Sequence, residues 1–239
     1  MFPFPFSFLG SAIVPDIPVD RIANAEAMSF DGSSYINVGI DSNFQFQQSD
    51  SFTLSAWIYS TVSQQNRQII IGNRNWSTSP YQGWDLRTSL QGGINRIEMT
   101  LDSGSGVAQY HTTTGISLNQ WHHVVGIYDS SKSAIGDRFS FYIDGSLVGK
   151  NASYAQIPAT ITYATKPTIG AVQDQNGSAY AFWNGKLDEV AIFDTALSAN
   201  KIQQIYDATA VVGGVPQTAN LFTGGLDTSL VYWNRMGDS

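Results

Sequence analysis

From Ser29 onward the apolar positions recur with a period of two, the spacing of a strand and not of a helix. Phe52, Leu54, Ala56 and Ile58 alternate with Thr53, Ser55, Trp57 and Tyr59, which predicts a half-buried strand. The alternation returns at Trp84 and Leu86, and at Ile97, Met99 and Leu101. It continues at Trp121, His123, Val125 and Ile127, and at Phe139, Phe141 and Ile143. Turn clusters separate these runs: Asp31-Gly32, Gly92-Gly93, the Ser-Gly pairs of 103–106 and Asn184-Gly185. Asp144-Gly145 is the strongest hairpin signal, because a type I′ turn needs positive φ at both central residues. Many short strands at this spacing predict an all-β sandwich or barrel, and no βαβ rhythm is visible. One helix stands apart. Ser198 is placed to cap a short element of about a turn and a half, with Ile202, Ile205 and Tyr206 on one face. Gly213, Gly214 and Pro216 then open a polar stretch. The expected division is an extended apolar arm over 1–24, the β domain over 25–210, and a tail or the start of a further module over 211–239.

Composition narrows the function. Of 239 residues only 13% are charged, and another 13% are aromatic, so the chain can bury a sizeable core and is not disordered. The net charge of −7, with no cluster of Lys or Arg, argues against nucleic-acid binding. The absence of cysteine excludes disulfides, a thiolate nucleophile and Cys-ligated zinc. No apolar run is long enough to make a membrane-spanning helix. The opening Met1–Leu9 carries no basic residue, and Pro3 and Pro5 spoil a helical core, so an arm is expected there and not a cleaved signal.

Aromatic residues beside amides are the ligand-binding candidates: Trp76, Tyr81 and Trp84 around one connection, Tyr180 and Trp183 before the last strand. Sugars offer apolar CH faces to such rings and hydroxyls to Asn, Gln, Asp and Arg. Trp57 and Trp121 read as packing residues. His122 and His123 are adjacent on a strand and so face opposite ways, unable to share a metal. Glycoside hydrolysis needs two carboxyls set some 5–9 Å apart. Asp188 and Glu189 point to opposite faces and Glu98 stands alone, so no catalytic residue is assigned.

Four blocks in order carry a family resemblance. They are Ala27–Gly39, Phe52–Ile58, the pair Asn119–Tyr128 and Phe139–Gly145, and Trp183–Phe193 followed by Ala196–Ser198. Together they resemble laminin G-like, concanavalin A-like lectin–glucanase domains of the type found in phage structural proteins. The resemblance implies a two-sheet antiparallel jelly-roll sandwich closed by one short C-terminal helix. It also implies one structural calcium ion, carried onto Asp188 with Asp31 as helper. The hydrolase members' Glu-x-Asp-x-x-Glu stripe is not matched here. The expected function is therefore non-catalytic. The main reading is a structural or decoration protein of a phage virion, on the capsid surface or tail. It would be homo-oligomeric, joined to other virion proteins through arm and tail, with surface glycans as further ligands. The alternative is a free extracellular carbohydrate-binding module or lectin.

Overall fold

The computed structural model describes residues 18–236, apart from 23, 25, 40–41, 64–66, 77–78, 80 and 164. The predicted alternation builds two seven-stranded sheets whose recorded pairings are all antiparallel. The first runs Ser146–Val148, Phe139–Ile143, Trp121–Tyr128, Phe52–Ser60, Asn184–Phe193, Leu230–Asn234. Met28–Asp31 completes it, pairing with 184–187 while Leu230–Asn234 pairs with 190–193, so two short strands share one edge. The second runs Lys150–Ala155, Val107–Gly115, Ile94–Ser103, Gln82–Gln91, Gln68–Gly72, Thr168–Ile169, Ile36–Asn37. The inward halves of both sheets meet in the main core. Phe52, Leu54 and Ile58 face Trp84, Leu86, Ile97 and Met99, with Tyr128, Phe139 and Phe141 alongside. Burying side chains of this size supplies the main drive to fold, roughly 1.5–3 kcal/mol each before ordering costs. The all-β jelly-roll sandwich holds.

The Asp144-Gly145 hairpin is formed, with φ of 52° and 75° and Ile143 opposite Ser146. Three expectations need correction. The helix spans Ala199–Ala208, nearly three turns, not one and a half; Ser198 caps it by accepting from Lys201 N at 3.3 Å. The strand Phe52–Ser60 is buried on both faces, because Ile202, Ile205 and Ala208 of the helix cover the outer face of its sheet. The domain does not end at 210. Leu221 and Leu226 join the apolar layer under the helix, Leu230–Asn234 is a sheet strand, and Met236 is buried in the main core. Arg21–Ile22 pairs with Thr218–Ala219, so part of the expected arm is also tied to the sandwich. Residues 1–17, which hold the Phe-rich part of that arm, lie outside the described residues. No helix among the described residues is long and apolar enough to cross a membrane.

Candidate functional site

The outward half of the second sheet is polar. Between the inward Trp84, Leu86, Ile97, Met99 and Leu101 stand Asp85, Arg87 and Ser89 on one strand and Glu98, Thr100 and Asp102 on the next. Register places Arg87 opposite Glu98, Asp85 opposite Thr100, and Glu98 opposite His111. Arg87 sits between two carboxylates, donating through Nη1 to Asp85 and to Thr100 Oγ1 at 2.8 Å, and through Nη2 to Glu98. Glu98 Oε2 also accepts from Ser89 Oγ at 2.6 Å and Gln91 Nε2 at 2.9 Å. Asp85, Arg87 and Glu98 are fully buried. Ions so deep must be paired to stay charged. Burial pushes the Glu98 carboxyl up, but Arg87, the Ser89 hydroxyl and Arg67 outweigh it and hold Glu98 below the usual range.

Trp76 roofs this layer. Asn73 and Asn75 extend the Gln68–Gly72 strand, donating to Trp84 O and Gln82 O at 2.9 Å each. The backbone passes tightly over Gly83, where a Cβ would lie 2.8 Å from Arg74 Cα; at φ +119° glycine suits the position. Arg74 reaches Asp102 Oδ2 through Nε at 3.1 Å and through Nη2. The Trp76 ring then turns back over the sheet. Its Nε1 donates to Asp85 Oδ2 at 3.1 Å, and its backbone N–H donates to Tyr180 Oη at 2.8 Å. The guanidinium carbons of Arg67, Arg87 and Arg74 lie 4.7, 4.8 and 5.2 Å from its centroid, within cation–π range. Arg67 is exposed, and among the described residues no carboxylate stands within ion-pair distance of it.

Of the five aromatic candidates the fold joins two, Trp76 and Tyr180, and leaves Tyr81 exposed on the same connection as Trp76. Trp84 and Trp183 are corrected. Both are fully buried, with Nε1 donating to Phe44 O at 2.8 Å and to Lys186 O at 3.3 Å, and both belong to the inter-sheet core. Trp84 shares the parity of Leu86 on its strand and so points inward with it. The reading of Glu98 as standing alone is also corrected, since Arg87 and Asp85 join it. The signal for this cluster was present: polar residues fill the outward parity of the strands whose inward parity is apolar.

The calcium expectation does not fit these residues. Asp31 lies opposite Asn184, and Asp188 is four residues further along that strand, roughly 13 Å away at 3.3 Å per residue. Asp31 Oδ1 accepts from the backbone N–H and hydroxyl of both Ser33 and Ser34, and these bonds lower its pKa to about 2. Buried Asp188 accepts from Asn24 Nδ2 and from Glu189 N, both at 2.9 Å. Both oxygens of Asp188 are thus engaged, and the two carboxylates stand too far apart to share one hard cation. Among the described residues no group of three or more His, Cys, Asp or Glu side chains is placed to hold a metal.

His122 and His123 face opposite ways as expected. His122 Nδ1 meets Asp144 Oδ2 at 2.7 Å. His123 Nε2 meets Ser55 Oγ at 2.9 Å under the helix, and burial pushes its pKa down to about 4. That pair resembles half of a hydrolytic triad, yet it is buried, and no acid among the described residues orients the other ring nitrogen.

Residues 30–203, well over half of the chain, match the family described as the Concanavalin A-like lectin/glucanases superfamily. The chain belongs to that superfamily. The sialidase module CBM40 of Ruminococcus gnavus, solved bound to α2,3-sialyllactose, superposes with a TM-score of 0.61 at 10% identity, covering 76% of this chain and 97% of that one. A Bacteroides ovatus protein, named as a candidate carbohydrate-binding protein, gives 0.57 at 19% identity over 91% of this chain. The present chain spans about half (53%) of that protein's length. The Streptococcus pneumoniae sialidase NanB gives 0.53 at 15% identity, with 75% of this chain laid on 27% of that one. At these identities the likeness is one of fold. No curated protein sequence matches the chain.

Proposed function

We propose that this superfamily member is a non-catalytic carbohydrate-binding module, the alternative drawn from the sequence, and that it takes an acidic glycan at the Trp76 face. One observation carries the reading: Trp76 is fixed on the polar side of the sheet by Asp85 below and Tyr180 beside, with Arg67 left without a carboxylate. A rigid ring offers a sugar a stacking surface at little entropic cost, and an exposed guanidinium with no carboxylate at ion-pair distance suits a carboxylated sugar in the planar, two-toothed manner of arginine. The fold likeness to a module solved with sialyllactose supports the same class of ligand.

Catalysis is disfavoured by the same layer. A glycosidase keeps one carboxyl protonated near neutrality and leaves a second free to attack or to activate water. Here Glu98 is held ionised below its usual range, and Asp85 and Glu98 are both locked to Arg87. The virion reading gains no support from the sandwich, and the Phe-rich residues meant to tether it lie outside the described residues. The proposal is tested by titrating 3′-sialyllactose into wild type, Trp76→Ala and Arg67→Ala in a calorimeter. Wild type should bind, and each variant should weaken binding by at least about tenfold, some 1.4 kcal/mol. Unchanged affinity in a folded Trp76→Ala protein overturns the reading.

A further inference from the structure

A hairpin beside the second sheet carries an Asn-Gly pair at its tip. Its strands set Val172 opposite Tyr180 and Gln173 opposite Ala179, and residues 174–178 make the turn. Asp174 organises that turn. Its Oδ1 accepts from Asn176 N at 2.8 Å and from Ser178 N at 2.9 Å, and its backbone N–H donates to Ser178 O at 2.9 Å. Gln173 Nε2 donates to Tyr35 Oη at 2.8 Å, and at the other end Tyr180 Oη accepts from Trp76 N. Asn176 and Gly177 are exposed, and the Asn176 side-chain amide engages no protein partner among the described residues. A Cβ at Gly177 would meet nothing within 4 Å, so the tip stands open.

The sequence holds one other Asn-Gly pair, Asn184-Gly185, and the fold treats it differently. Asn184 Oδ1 accepts from Thr61 Oγ1 at 2.6 Å, and its backbone N–H donates to Gln68 Oε1 at 2.9 Å. Gly185 is buried between two strands, opposite Phe30 on one side and Ser60 on the other. The same dipeptide thus stands once at an exposed tip and once clamped inside a sheet.

We propose that Asn176 is a site of spontaneous modification, deamidating through a succinimide to aspartate and isoaspartate, while the sheet protects Asn184. The Gly177 nitrogen gives its proton to hydroxide and attacks Asn176 Cγ. A C–N bond forms there, and the side-chain nitrogen leaves as ammonia. Water then opens the ring. Attack at Cγ breaks the new bond and yields aspartate. Attack at the main-chain carbonyl breaks the original peptide bond and yields isoaspartate, whose chain runs on through the side-chain carboxyl. Nothing is oxidised or reduced; water is taken up and ammonia released. Glycine favours ring closure because no Cβ crowds the attacking nitrogen. That N–H is held by one bond, to Asp174 O at 3.1 Å, in an exposed turn that opens at little cost. At Asn184 the sheet itself would have to open. The isoaspartate form inserts one methylene between the two N–H groups that share Asp174 Oδ1, so both bonds cannot persist as they stand.

The test incubates the full chain for weeks at mildly alkaline pH, once folded and once in urea. Peptide mapping by mass spectrometry, with electron-transfer fragmentation, tells isoaspartate from aspartate. In the folded chain conversion at Asn176 should exceed that at Asn184 by at least about tenfold, since Asn184 reacts only after local unfolding. In urea the two should convert within about twofold of each other, because neither is then held by the fold. The isoaspartate form, separated by ion exchange, should show displaced amide NMR signals over 172–180. Freshly prepared Asn176→Asp, which brings the charge without the methylene, should displace them less. The proposal falls if Asn176 survives in the folded chain while converting in urea, or if Asn184 converts as fast as Asn176 in the folded chain. An excess at Asn176 that persists in urea would assign the difference to local sequence and overturn the protective role of the sheet. Matching signals from the isoaspartate form and Asn176→Asp would overturn the change in the turn.

Discussion

The two sheets are built from one alternating pattern, yet their outer faces have opposite fates. On the first sheet the outward residues Val125, Ile127, Ala191 and Phe193 are apolar and are sealed by the helix Ala199–Ala208 with Leu221 and Leu226. On the second, the outward residues are Asp85, Arg87, Glu98 and Asp102; Arg87 and Arg74 pair the three carboxylates, Arg67 adds the third positive charge nearby, and Trp76 roofs the layer. Both faces are dry. The first is dry by hydrophobic burial, which asks only for area. The second is dry by charge pairing, which asks for geometry and leaves Arg67 and Trp76 at the rim, where the proposed glycan would bind. One face therefore serves stability alone, and the other is the face on which the proposal places recognition.

The sharpest way to break this comparison removes one side chain from each face. Arg87→Met strands two buried carboxylates without their shared cation and is expected to cost about 3–5 kcal/mol. Phe193→Ala opens a cavity under the helix and is expected to cost a similar 3–5 kcal/mol. At one pH the two losses look alike, but pH separates them. In Arg87→Met the stranded carboxyls prefer to be neutral, so the folded state binds protons more tightly than the unfolded chain. Its penalty should shrink from pH 8 to pH 5, while that of Phe193→Ala should stay constant. Urea melts at both pH values decide this, and parallel losses would mean the ion layer is not held by charge.

The inward half of each sheet was legible from parity alone. So was the Arg87–Glu98 pairing in principle: Gly92 and Gly93 have φ of 60° and 79°, and a two-residue turn there sets Gln91 opposite Ile94. Counting back from that pair lands Arg87 on Glu98. Parity also places Trp84 inside with Leu86, in the core and not in the aromatic connection that precedes it. What parity does not carry is whether a face is covered. The cover over Val125 and Phe193 comes from Ile202, Leu221 and Leu226, and the anchor that keeps the C-terminal segment in place is buried Glu189. Glu189 accepts from Thr218 Oγ1 at 2.6 Å and from Trp233 Nε1 at 2.9 Å. Such contacts join residues dozens of positions apart, and no local pattern announces them.

Each outer face also holds one histidine, and acid titration should rank them. Burial under the helix lowers His123 to about 4, from an ordinary value of 6.5. On the polar face burial, with Arg96 nearby, lowers His111 as well. For a depressed histidine the unfolded chain takes the proton first, so stability rises with pH between the folded and unfolded values. His123 contributes nothing adverse above pH 6.5. It should then remove up to about 3 kcal/mol as the pH falls from 6.5 to 4, at 1.36 kcal/mol per pH unit. The part of that fall between pH 6.5 and 4.5 precedes most carboxylate titration. Denaturant melts across that window should show a slope that His123→Gln largely flattens and His111→Gln flattens less. The reverse order would place the drier environment on the polar face.

The smallest expected effect concerns calcium, and it bears on the edge where the two flanking segments join the sandwich. A bound ion would stabilise the folded state by mass action, so chelation would lower the melting temperature. Asp31, however, spends Oδ1 on four donors from Ser33 and Ser34, and Asp188, four strand residues beyond Asp31's partner Asn184, is occupied by Asn24 and the Glu189 amide. A cation at Asp188 would have to displace two buried hydrogen bonds, and one at Asp31 would meet one exposed carboxylate oxygen with no cluster of further acidic ligands among the described residues. Asp188 is therefore a tie between the closing strand and residue 24 of the N-terminal segment. Melting curves with excess calcium and with EDTA should coincide within error. Asp188→Ala should lower the melting temperature equally in both conditions, because what it removes is the clasp on Asn24. A shift with EDTA that disappears in Asp188→Ala would instead make the residue a metal ligand and undo this assignment of its hydrogen bonds.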